Sequence, residues 1–294
     1  MKKIKNILRR IILKIYPKAI TSYEKSFIKE IYKIYMKIEN IIKYGNHDIF
    51  TGISIETSTY CNRRCVYCPN HNYETPKLFA DEKVIYKAIS DLSKMKYSGW
   101  LAWNFYNEPT LDNRLIDFIK YTSKIAPRIT NILISNGDFL NIEKALEYKN
   151  SGIDQFIVTI HDKNPDKLYS KLLPIKEKIG DSFILKKSLL KEELYTRAGN
   201  IETDRTGLNF TQCNFCINPA IDKDGNMLMC CNDYLRESKM GNIMDKSILE
   251  IWNDKRYKTV RKELKNNLAE AVKNKTIPEV CIRCYYSMNG ITKN

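Results

Sequence analysis

The chain has 294 residues, of which 43% are hydrophobic and 28% are charged, as is typical of a globular protein with one large domain or two smaller ones. No window of eighteen uncharged apolar residues occurs, so the sequence predicts no transmembrane helix. The formal net charge is +15, but residues 1–44 contain twelve Lys and Arg and three Glu, so the excess is concentrated there and a uniformly basic nucleic-acid-binding surface is not predicted.

Two helices are predicted at the N terminus. Residues 2–16 place isoleucine and leucine at helical spacing with six Lys and Arg on the other face, and Pro17 ends this pattern. Such a basic amphipathic helix suits a membrane surface or an acidic partner, or packs on the catalytic domain with a solvated lysine face. A second helix is predicted over 22–44, and the polar stretch 44–48 marks a boundary.

From residue 53 onward, strand-like and helix-like stretches alternate. The predicted strands are 53–57, 99–106, 131–135, 155–160 and 183–189, with helices between them at about 81–95, 112–125, 141–150 and 165–179. This alternation predicts a parallel sheet with right-handed crossovers. Five or six repeats are too few for a closed eight-fold barrel, so we expect a partial (β/α)6 barrel, similar to an open TIM barrel, with its site at the carboxyl ends of the strands.

After residue 200 the alternation ends and six cysteines follow. Asp224-Gly225 predicts a hairpin between 217–222 and 226–230, and a helix is predicted over 246–265. This part is expected to be a second, small unit held by its cysteines. The predicted domains are therefore a helical extension (1–48), an α/β barrel (49–200) and a cysteine-rich tail (201–294).

Three cysteines fall in a short polar loop directly after the first predicted strand. Cys61, Cys65 and Cys68 are spaced by four and three residues, and the nine cysteines of the chain cluster in a way that favours metal binding over disulfides. A [4Fe–4S] cluster normally has four thiolate ligands, so three leave one iron open. An open coordination position is typical of a catalytic site, and a small molecule that chelates through an amine and a carboxylate would fill it.

This loop resembles the CxxxCxxC signature of the radical S-adenosylmethionine (SAM) enzymes, including Tyr67, the aromatic residue before the third cysteine. The resemblance implies a SAM-binding [4Fe–4S] cluster that donates one electron to SAM, giving a 5′-deoxyadenosyl radical that abstracts hydrogen from a substrate. Arg63 and Arg64 inside the loop either attract an acidic electron donor of the flavodoxin or ferredoxin type or are solvated arginines.

Two further strand ends resemble SAM-binding segments of this family. The segment Asn107-Glu108-Pro109 stands where the family usually has Gly-Gly-Glu-Pro, and it implies that Glu108, with Asn107 beside it, binds the SAM amine. The segment Ser135-Asn136-Gly137 resembles the family's turn beside the cofactor. It implies that Ser135 and Asn136 contact the carboxylate or the ribose of SAM.

Two residues are candidates for catalysis. His161 ends the fourth predicted strand and is either a general base or a structural histidine. Arg197 begins the segment Arg197-Ala-Gly199, which is similar to a turn in the twitch-type dehydrogenases of aminoglycoside biosynthesis. That resemblance implies that Arg197 contacts the substrate or the cofactor, whereas without it Arg197 is an exposed turn residue.

The tail resembles the SPASM and twitch auxiliary-cluster extensions of the same family. The resemblance rests on Asp224-Gly225 followed by Cys230, on Gly241-Asn-Ile243, on 247–252 and on Cys281-x-x-Cys284. It implies one auxiliary [4Fe–4S] cluster, because SPASM forms with two such clusters typically have seven or more cysteines. The implied ligands are Cys213, Cys230, Cys281 and Cys284.

The remaining tail cysteines leave alternatives open. Cys216 and Cys231 can replace their neighbours as ligands. A zinc site on Cys213, Cys216, Cys281 and Cys284 is the rival interpretation, although the span between its two halves exceeds that of usual zinc ribbons.

The resemblance implies an oxidoreductase that dehydrogenates a small polyol, an aminosugar or a glycan, with the auxiliary cluster accepting an electron. The alternatives are a carbohydrate epimerase with Cys216 or Cys231 as hydrogen donor, a peptide-modifying maturase, or a non-catalytic iron–sulfur adaptor at a membrane. We expect a cytoplasmic location, with peripheral membrane contact through residues 2–16 and no nucleic-acid partner.

Overall fold

The structure is a computed structural model, and it describes residues 34, 37–38, 40–44, 48–188, 194–203, 207 and 209–291. The chain divides into two compact units, Met1–Ile49 and Phe50–Asn294. Residues 40–44 of the first unit are helical, whereas the predicted helix over 2–16 and most of the one over 22–44 lie outside the described residues. None of the helices in the described part is long and apolar enough to span a membrane.

The described part of the second unit is built on one eight-stranded sheet. Its strands in chain order are β1 Gly52–Ile55, β2 Trp100–Ala102, β3 Thr130–Ser135, β4 Gln155–Thr159, β5 Phe183–Lys186, β6 Ala220–Ile221, β7 Asn226–Leu228 and β8 Lys239–Asn242. They lie in the order β5-β4-β3-β2-β1-β6-β7-β8. All pairs from β5 to β6 along this order are parallel, and the last two pairs are antiparallel. The sheet is open, as predicted for a partial barrel.

Helices connect the parallel strands and continue through the tail. In chain order they are α1 Glu82–Lys94, α2 Leu115–Ile125, α3 Ile142–Ser151, α4 Asp166–Ile179, α5 Ile248–Asn253, α6 Lys255–Asn266, α7 Leu268–Lys273 and α8 Glu279–Asn289. The first of them shows why the pattern predicts helices, because its apolar residues recur on one face and are buried: Val84, Ile85, Ala88, Ile89 and Leu92. Asp81 begins α1 by accepting a hydrogen bond from the Lys83 amide.

The hairpin predicted at Asp224-Gly225 is present as the antiparallel pair β6 and β7. Strand β6 also pairs in parallel with β1, so the hairpin extends the barrel sheet. The helix predicted over 246–265 is interrupted at Asp254, whose backbone leaves helical geometry with ψ 140°. The Asp254 side chain instead caps α6 by accepting from the Arg256 amide. A domain boundary at residue 200 stays a prediction.

The carboxyl ends of β1 to β4 reach the same edge of the sheet, as they must when neighbouring strands are parallel. This edge is also where buried polar side chains accumulate, among them Glu56, Thr57, Asn107, Glu108, Ser135, Asn136 and Thr159. Because a buried polar group is costly unless it is hydrogen-bonded, such a concentration indicates a built site.

Candidate functional site

A cavity of about 370 Å³ lies at the carboxyl ends of the parallel strands. It is lined by all the residues predicted for the loop cluster, for SAM binding and for catalysis: Cys61, Cys65, Tyr67, Cys68, Asn107, Glu108, Ser135, Asn136, His161 and Arg197. The structure therefore brings these residues together around one space. Cys231 of the tail lines the same cavity.

The three-cysteine loop is fastened to the ends of β3 and β4 by Arg63. Its Nε donates to Asp138 at 2.7 Å and its Nη1 donates to Asp162 at 2.7 Å. Burial alone would raise the pKa of Asp138, but hydrogen bonds from Arg63 and Asn62 outweigh burial and lower it. Arg63 is thus engaged in ion pairs, whereas Arg64 is exposed and, among the described residues, donates to two backbone carbonyls at 3.4 Å.

The thiols of this loop are protonated at neutral pH in the cluster-free chain. Burial raises the pKa of Cys61 to about 11 and also raises the pKa values of Cys65 and Cys68. Cluster binding must therefore displace their protons. Within the described residues, no three His, Cys, Asp or Glu side chains are arranged to hold one metal ion. A [4Fe–4S] cluster does not require such a set, because its thiolates bind separate irons.

Glu108 joins the ends of β2 and β3. Its Oε1 accepts from the hydroxyls of Ser135 at 2.8 Å and Thr110 at 2.6 Å, and its Oε2 accepts from the Asn136 amide at 2.8 Å. Burial raises the pKa of this carboxyl, and the hydrogen bonds oppose that rise. Because a carboxylate oxygen can accept two hydrogen bonds, Oε2 is the oxygen left for an ammonium group in the cavity.

The other predicted SAM contacts are also engaged within the chain. Asn107 Oδ1 accepts from the Phe105 amide at 2.9 Å, and its Nδ2 donates to Thr57 Oγ1 at 3.2 Å. The side chain of Asn107 therefore ties the end of β2 to the end of β1. The side-chain Nδ2 of Asn136, in contrast to its backbone amide, donates to Asn62 Oδ1 at 2.9 Å, which holds the cysteine loop against β3. Contact of these side chains with SAM stays a prediction.

His161 is hydrogen-bonded through Nδ1 to the hydroxyl of Tyr67. Burial and, to a smaller extent, the charge of Arg63 lower the pKa of His161 to about 4, so the imidazole is neutral at pH 7. An imidazole with so low a pKa is a weak base. The geometry therefore favours the structural alternative, in which His161 orients Tyr67 beside the cysteines, and its role as a general base stays a prediction.

Arg197 begins a turn of three residues with left-handed backbone geometry. The φ angles of Arg197, Ala198 and Gly199 are +48°, +55° and +81°. Such angles are costly for residues other than glycine and occur where a site imposes them. Arg197 Nη1 donates to Asn232 Oδ1 at 3.0 Å, which holds the guanidinium at the cavity wall.

A second cavity brings together the four predicted ligands of the auxiliary cluster. It is lined by Cys213, Cys230, Cys281 and Cys284, and its remaining wall is largely apolar. Burial raises the pKa values of Cys230, Cys281 and Cys284, the last to about 12. This donor set and its apolar surroundings fit a cluster with four thiolate ligands.

The two remaining tail cysteines are placed differently. Cys216 is fully buried, does not line the second cavity, and donates from Sγ to the Cys213 carbonyl at 3.2 Å. The Cys216 side chain lies close enough to lower the pKa of the Cys213 thiol by hydrogen bonding. Cys231 faces the first cavity, although its neighbour Cys230 faces the second. The sequence shows Cys230 and Cys231 as adjacent candidates for a metal ligand. Only the fold shows that they line different cavities.

Comparison with known proteins gives independent matches for both parts of the second unit. A family model described as the radical SAM superfamily matches residues 55–183, and one described as an iron–sulfur cluster-binding domain (SPASM) matches residues 213–285. The S-adenosyl-L-methionine-dependent 2-deoxy-scyllo-inosamine dehydrogenase of Niallia circulans is 30% identical over 226 residues, which span 74% of this chain and 88% of that protein.

Two solved structures of BtrN are similar at 27% identity. The complex of BtrN with AdoMet and 2-DOIA has a TM-score of 0.69 and matches 76% of this chain and 90% of BtrN. A selenomethionine form of BtrN in an open conformation has a TM-score of 0.58 and matches 74% of this chain and 86% of BtrN.

These matches confirm the predicted cofactor classes, which are a radical SAM iron–sulfur cluster with SAM and an auxiliary iron–sulfur cluster in the tail. They favour iron–sulfur over zinc in the tail, and an oxidoreductase over a non-catalytic adaptor. The chain belongs to the radical SAM superfamily, and its tail is an iron–sulfur cluster-binding domain of the SPASM family.

Proposed function

We propose that this chain is a radical SAM dehydrogenase that oxidises a ring hydroxyl of a small aminocyclitol or a related amino polyol to a carbonyl. One observation carries the proposal: the three-cysteine loop, Glu108 and Arg197 line a single cavity of about 370 Å³, and the four predicted ligands of an electron-accepting auxiliary cluster line a second one. The resemblance to 2-deoxy-scyllo-inosamine dehydrogenase over 88% of that protein supports the choice of substrate class.

The residues of the chain would hold two clusters and SAM. Cys61, Cys65 and Cys68 would hold the first cluster, and the four cysteines of the second cavity would hold the other. When bound, the first cluster and SAM supply the removal of a hydrogen atom from a substrate carbon, and the auxiliary cluster supplies an acceptor for a second electron.

The chain itself contributes positioning and charge. Glu108 Oε2 would receive the SAM ammonium at the joined ends of β2 and β3. Arg197 places a guanidinium at the cavity wall, where it favours negative charge on the substrate oxygen as that oxygen loses its proton.

Anaerobic turnover tests this function. The reconstituted chain is incubated with dithionite, SAM and 2-deoxy-scyllo-inosamine carrying deuterium on each carbinol carbon in turn. We expect one ketone per 5′-deoxyadenosine and transfer of deuterium into 5′-deoxyadenosine from a single position. Cys65→Ala is the control and forms neither product. SAM cleavage without oxidation of any aminocyclitol or aminosugar would contradict the proposal.

A radical epimerase is the second candidate, and the position of Cys231 favours it. Its thiol lines the cavity and is therefore placed to return a hydrogen atom to a substrate carbon. Turnover in deuterated water separates the two reactions. Deuterium at a ring carbon without net oxidation indicates epimerisation, and Cys231→Ser then abolishes it. A dehydrogenase gives the ketone without deuterium at that carbon, and Cys231→Ser still forms it.

We also propose that an acidic flavodoxin or ferredoxin docks at the cysteine loop in the cytoplasm. Arg64 is exposed there, and Val66 beside it is 70% exposed. Arg64→Glu should raise the KM for the flavodoxin several-fold and leave dithionite-driven turnover unchanged. Unchanged KM would remove this docking site. Membrane contact through residues 2–16 also stays a proposal, which co-sedimentation of the full chain with anionic vesicles tests.

A further inference from the structure

Two residues that line the first cavity each have a buried polar atom with no hydrogen-bond partner among the described residues. These atoms are the hydroxyl oxygen of Tyr106 and the side-chain oxygen of Asn104. An unpaired buried polar atom destabilises the fold, and native proteins have few of them. Two on residues that line one cavity, two positions apart, indicate that a ligand pairs them.

The Tyr106 ring is held in a fixed orientation. It makes edge-to-face contacts with Phe105 and Tyr234, with ring centroids 4.7 and 4.8 Å away. Its backbone carbonyl accepts from Asn70 Nδ2 at 2.8 Å, and Asn70 is buried directly after the cysteine loop. The hydroxyl is therefore positioned before any ligand binds, which lowers the entropic cost of binding.

Tyr106 lies on the side of the cavity that faces the tail. Burial raises the pKa of its phenol well above the usual range, so the hydroxyl stays protonated and can donate. The titratable groups near enough to affect this pKa are Arg197, Cys231, Cys68 and Cys230. Three of these four residues belong to the tail-side segments 197–231, and Cys68 belongs to the cysteine loop. Glu108 and Ser135, by contrast, serve the predicted SAM-binding edge.

We propose that the Tyr106 hydroxyl and the Asn104 amide bind ring substituents of the substrate that are not oxidised, and so determine which amino polyol is accepted. The inference rests on the proposed function and deepens it. A ring with a hydroxyl or amine at the matching position pairs both buried groups. A ring without it leaves them unpaired in the closed complex and is rejected, because hydrogen-bonding sites discriminate strongly against analogues that lack the partner.

A cycle that combines enzyme variants with substrate analogues tests the Tyr106 bond. The enzymes are wild type and Tyr106→Phe, and the substrates are 2-deoxy-scyllo-inosamine and a set in which each remaining ring hydroxyl is replaced by hydrogen. We expect Tyr106→Phe to lower kcat/KM for the full substrate by about tenfold. For one analogue the two enzymes should be equal within twofold, because that analogue has already lost the same bond.

Tyr234→Phe is the matched control. Its ring also contacts Tyr106, but its hydroxyl is bonded to Thr75 Oγ1 at 2.8 Å and Tyr234 does not line the cavity. This variant should stay within twofold of wild type on every substrate. Iron content and SAM affinity, the latter by equilibrium dialysis, should be unchanged in both variants. Calorimetric titration of each ring compound into the SAM-loaded chain gives the same comparison without turnover.

Several outcomes would overturn the inference. Equal activity of wild type and Tyr106→Phe on the full substrate would exclude a hydrogen bond between Tyr106 and the substrate. An equal loss on all analogues assigns Tyr106 a structural role, and weaker SAM binding in Tyr106→Phe assigns the hydroxyl to SAM. A wild-type chain that neither binds nor oxidises any of the ring compounds contradicts the proposed function itself, and this is seen before any variant is made.

Discussion

The six cysteines of the tail have different surroundings, and these surroundings predict different roles. Four of them line the second cavity, Cys231 lines the first, and Cys216 is bonded to the backbone of Cys213. Such a division predicts different consequences for substitutions that are chemically alike, because only a ligand thiolate binds iron.

Iron and sulfide analysis checks this division. The reconstituted wild type should contain about eight iron and eight sulfide per chain, and Cys284→Ala should contain about four of each. Cys231→Ala is the matched control and should keep about eight, since its thiol does not line the second cavity. Loss of iron in Cys231→Ala together with retention in Cys284→Ala would exchange their roles.

His161 predicts a pH dependence of stability. Its pKa is about 4 in the fold against an ordinary value of 6.5, so between these values the unfolded chain binds more protons. The free energy of unfolding should therefore fall as pH falls through this window, by about 2 kcal/mol between pH 7 and pH 5.

Chemical denaturation of the cluster-free chain at the two pH values measures this effect. His161→Gln, which cannot take up the proton, should lose about 2 kcal/mol less than wild type over the same interval. Equal losses in the two proteins would mean that His161 titrates normally in the fold.

At the scale of elements, the cysteine loop depends on its attachment to β3 and β4. Arg63 forms ion pairs with Asp138 and Asp162, and both carboxylates follow strand ends. Arg63→Gln removes both pairs and should free the loop, so that a chelator extracts the loop cluster several times faster. Arg64→Gln is the control, because the hydrogen bonds that Arg64 donates within the described part of the chain go to backbone carbonyls and not to a carboxylate. Equal extraction rates in the two variants would exclude a role for the ion pairs.

The turn between α3 and β4 requires glycine for two reasons at once. Gly152 has φ +115°, and a Cβ there would lie 1.8 Å from Ser123 Oγ and 2.8 Å from Ser123 Cβ. Gly180, after α4, also has a positive φ, of +80°, but a Cβ added there would meet no atom within 4 Å. The pair therefore separates backbone strain from steric overlap.

Thermal unfolding measures the two contributions. Gly180→Ala should cost about 1–3 kcal/mol through its backbone alone, because φ +80° with ψ −150° is a conformation that is essentially restricted to glycine. Gly152→Ala has a positive φ as well and should cost more, because the Ser123 side chain and α2 must also shift. Similar melting temperatures for the two variants would mean that α2 and α3 move apart enough to accommodate the added methyl group at little cost.

For the whole molecule, Glu56 ties the end of β1 to the tail. It is fully buried, and it accepts from Arg236 Nη2 at 2.6 Å and from the Lys223 amide at 3.1 Å. Burial raises its pKa, while the charge of Arg236 opposes that rise. Together with the pairing of β1 and β6, this contact joins the tail to the barrel sheet.

Removal of the Arg236 side chain should therefore lower the free energy of unfolding. Arg236→Met leaves a buried carboxylate without its cation and should destabilise the chain by about 3 kcal/mol at pH 7. The double variant Glu56→Gln/Arg236→Met should recover part of this loss, because the uncompensated charge is gone. Denaturant midpoints at pH 7 check both values, and additive effects of the two substitutions would exclude direct coupling.

Much of this architecture is predictable from the sequence, because the evidence for it is local. The five parallel strands and the helices between them follow from periodic apolar residues, and the turn at Asp224-Gly225 from its composition. The cysteine loop, the Glu108 segment and the Ser135 turn fall at strand ends, and parallel strands bring those ends to one edge without any further information. The sequence by itself thus determined the barrel and a cysteine loop suited to a cluster with one open iron, and the resemblance of that loop to a known family implied the cofactor.

What lies far apart in the chain was decided only by the tertiary structure. Pairing of β6 with β1 depends on which strand edge is open in the folded sheet, and no local pattern encodes that choice. The fold also places Cys230 at one cavity and Cys231 at the other, and it packs Ala220 and Leu228 of the tail against Tyr106. Unpaired atoms such as the Tyr106 hydroxyl exist only once a cavity has formed around them, because burial and hydrogen bonding are properties of the packed chain.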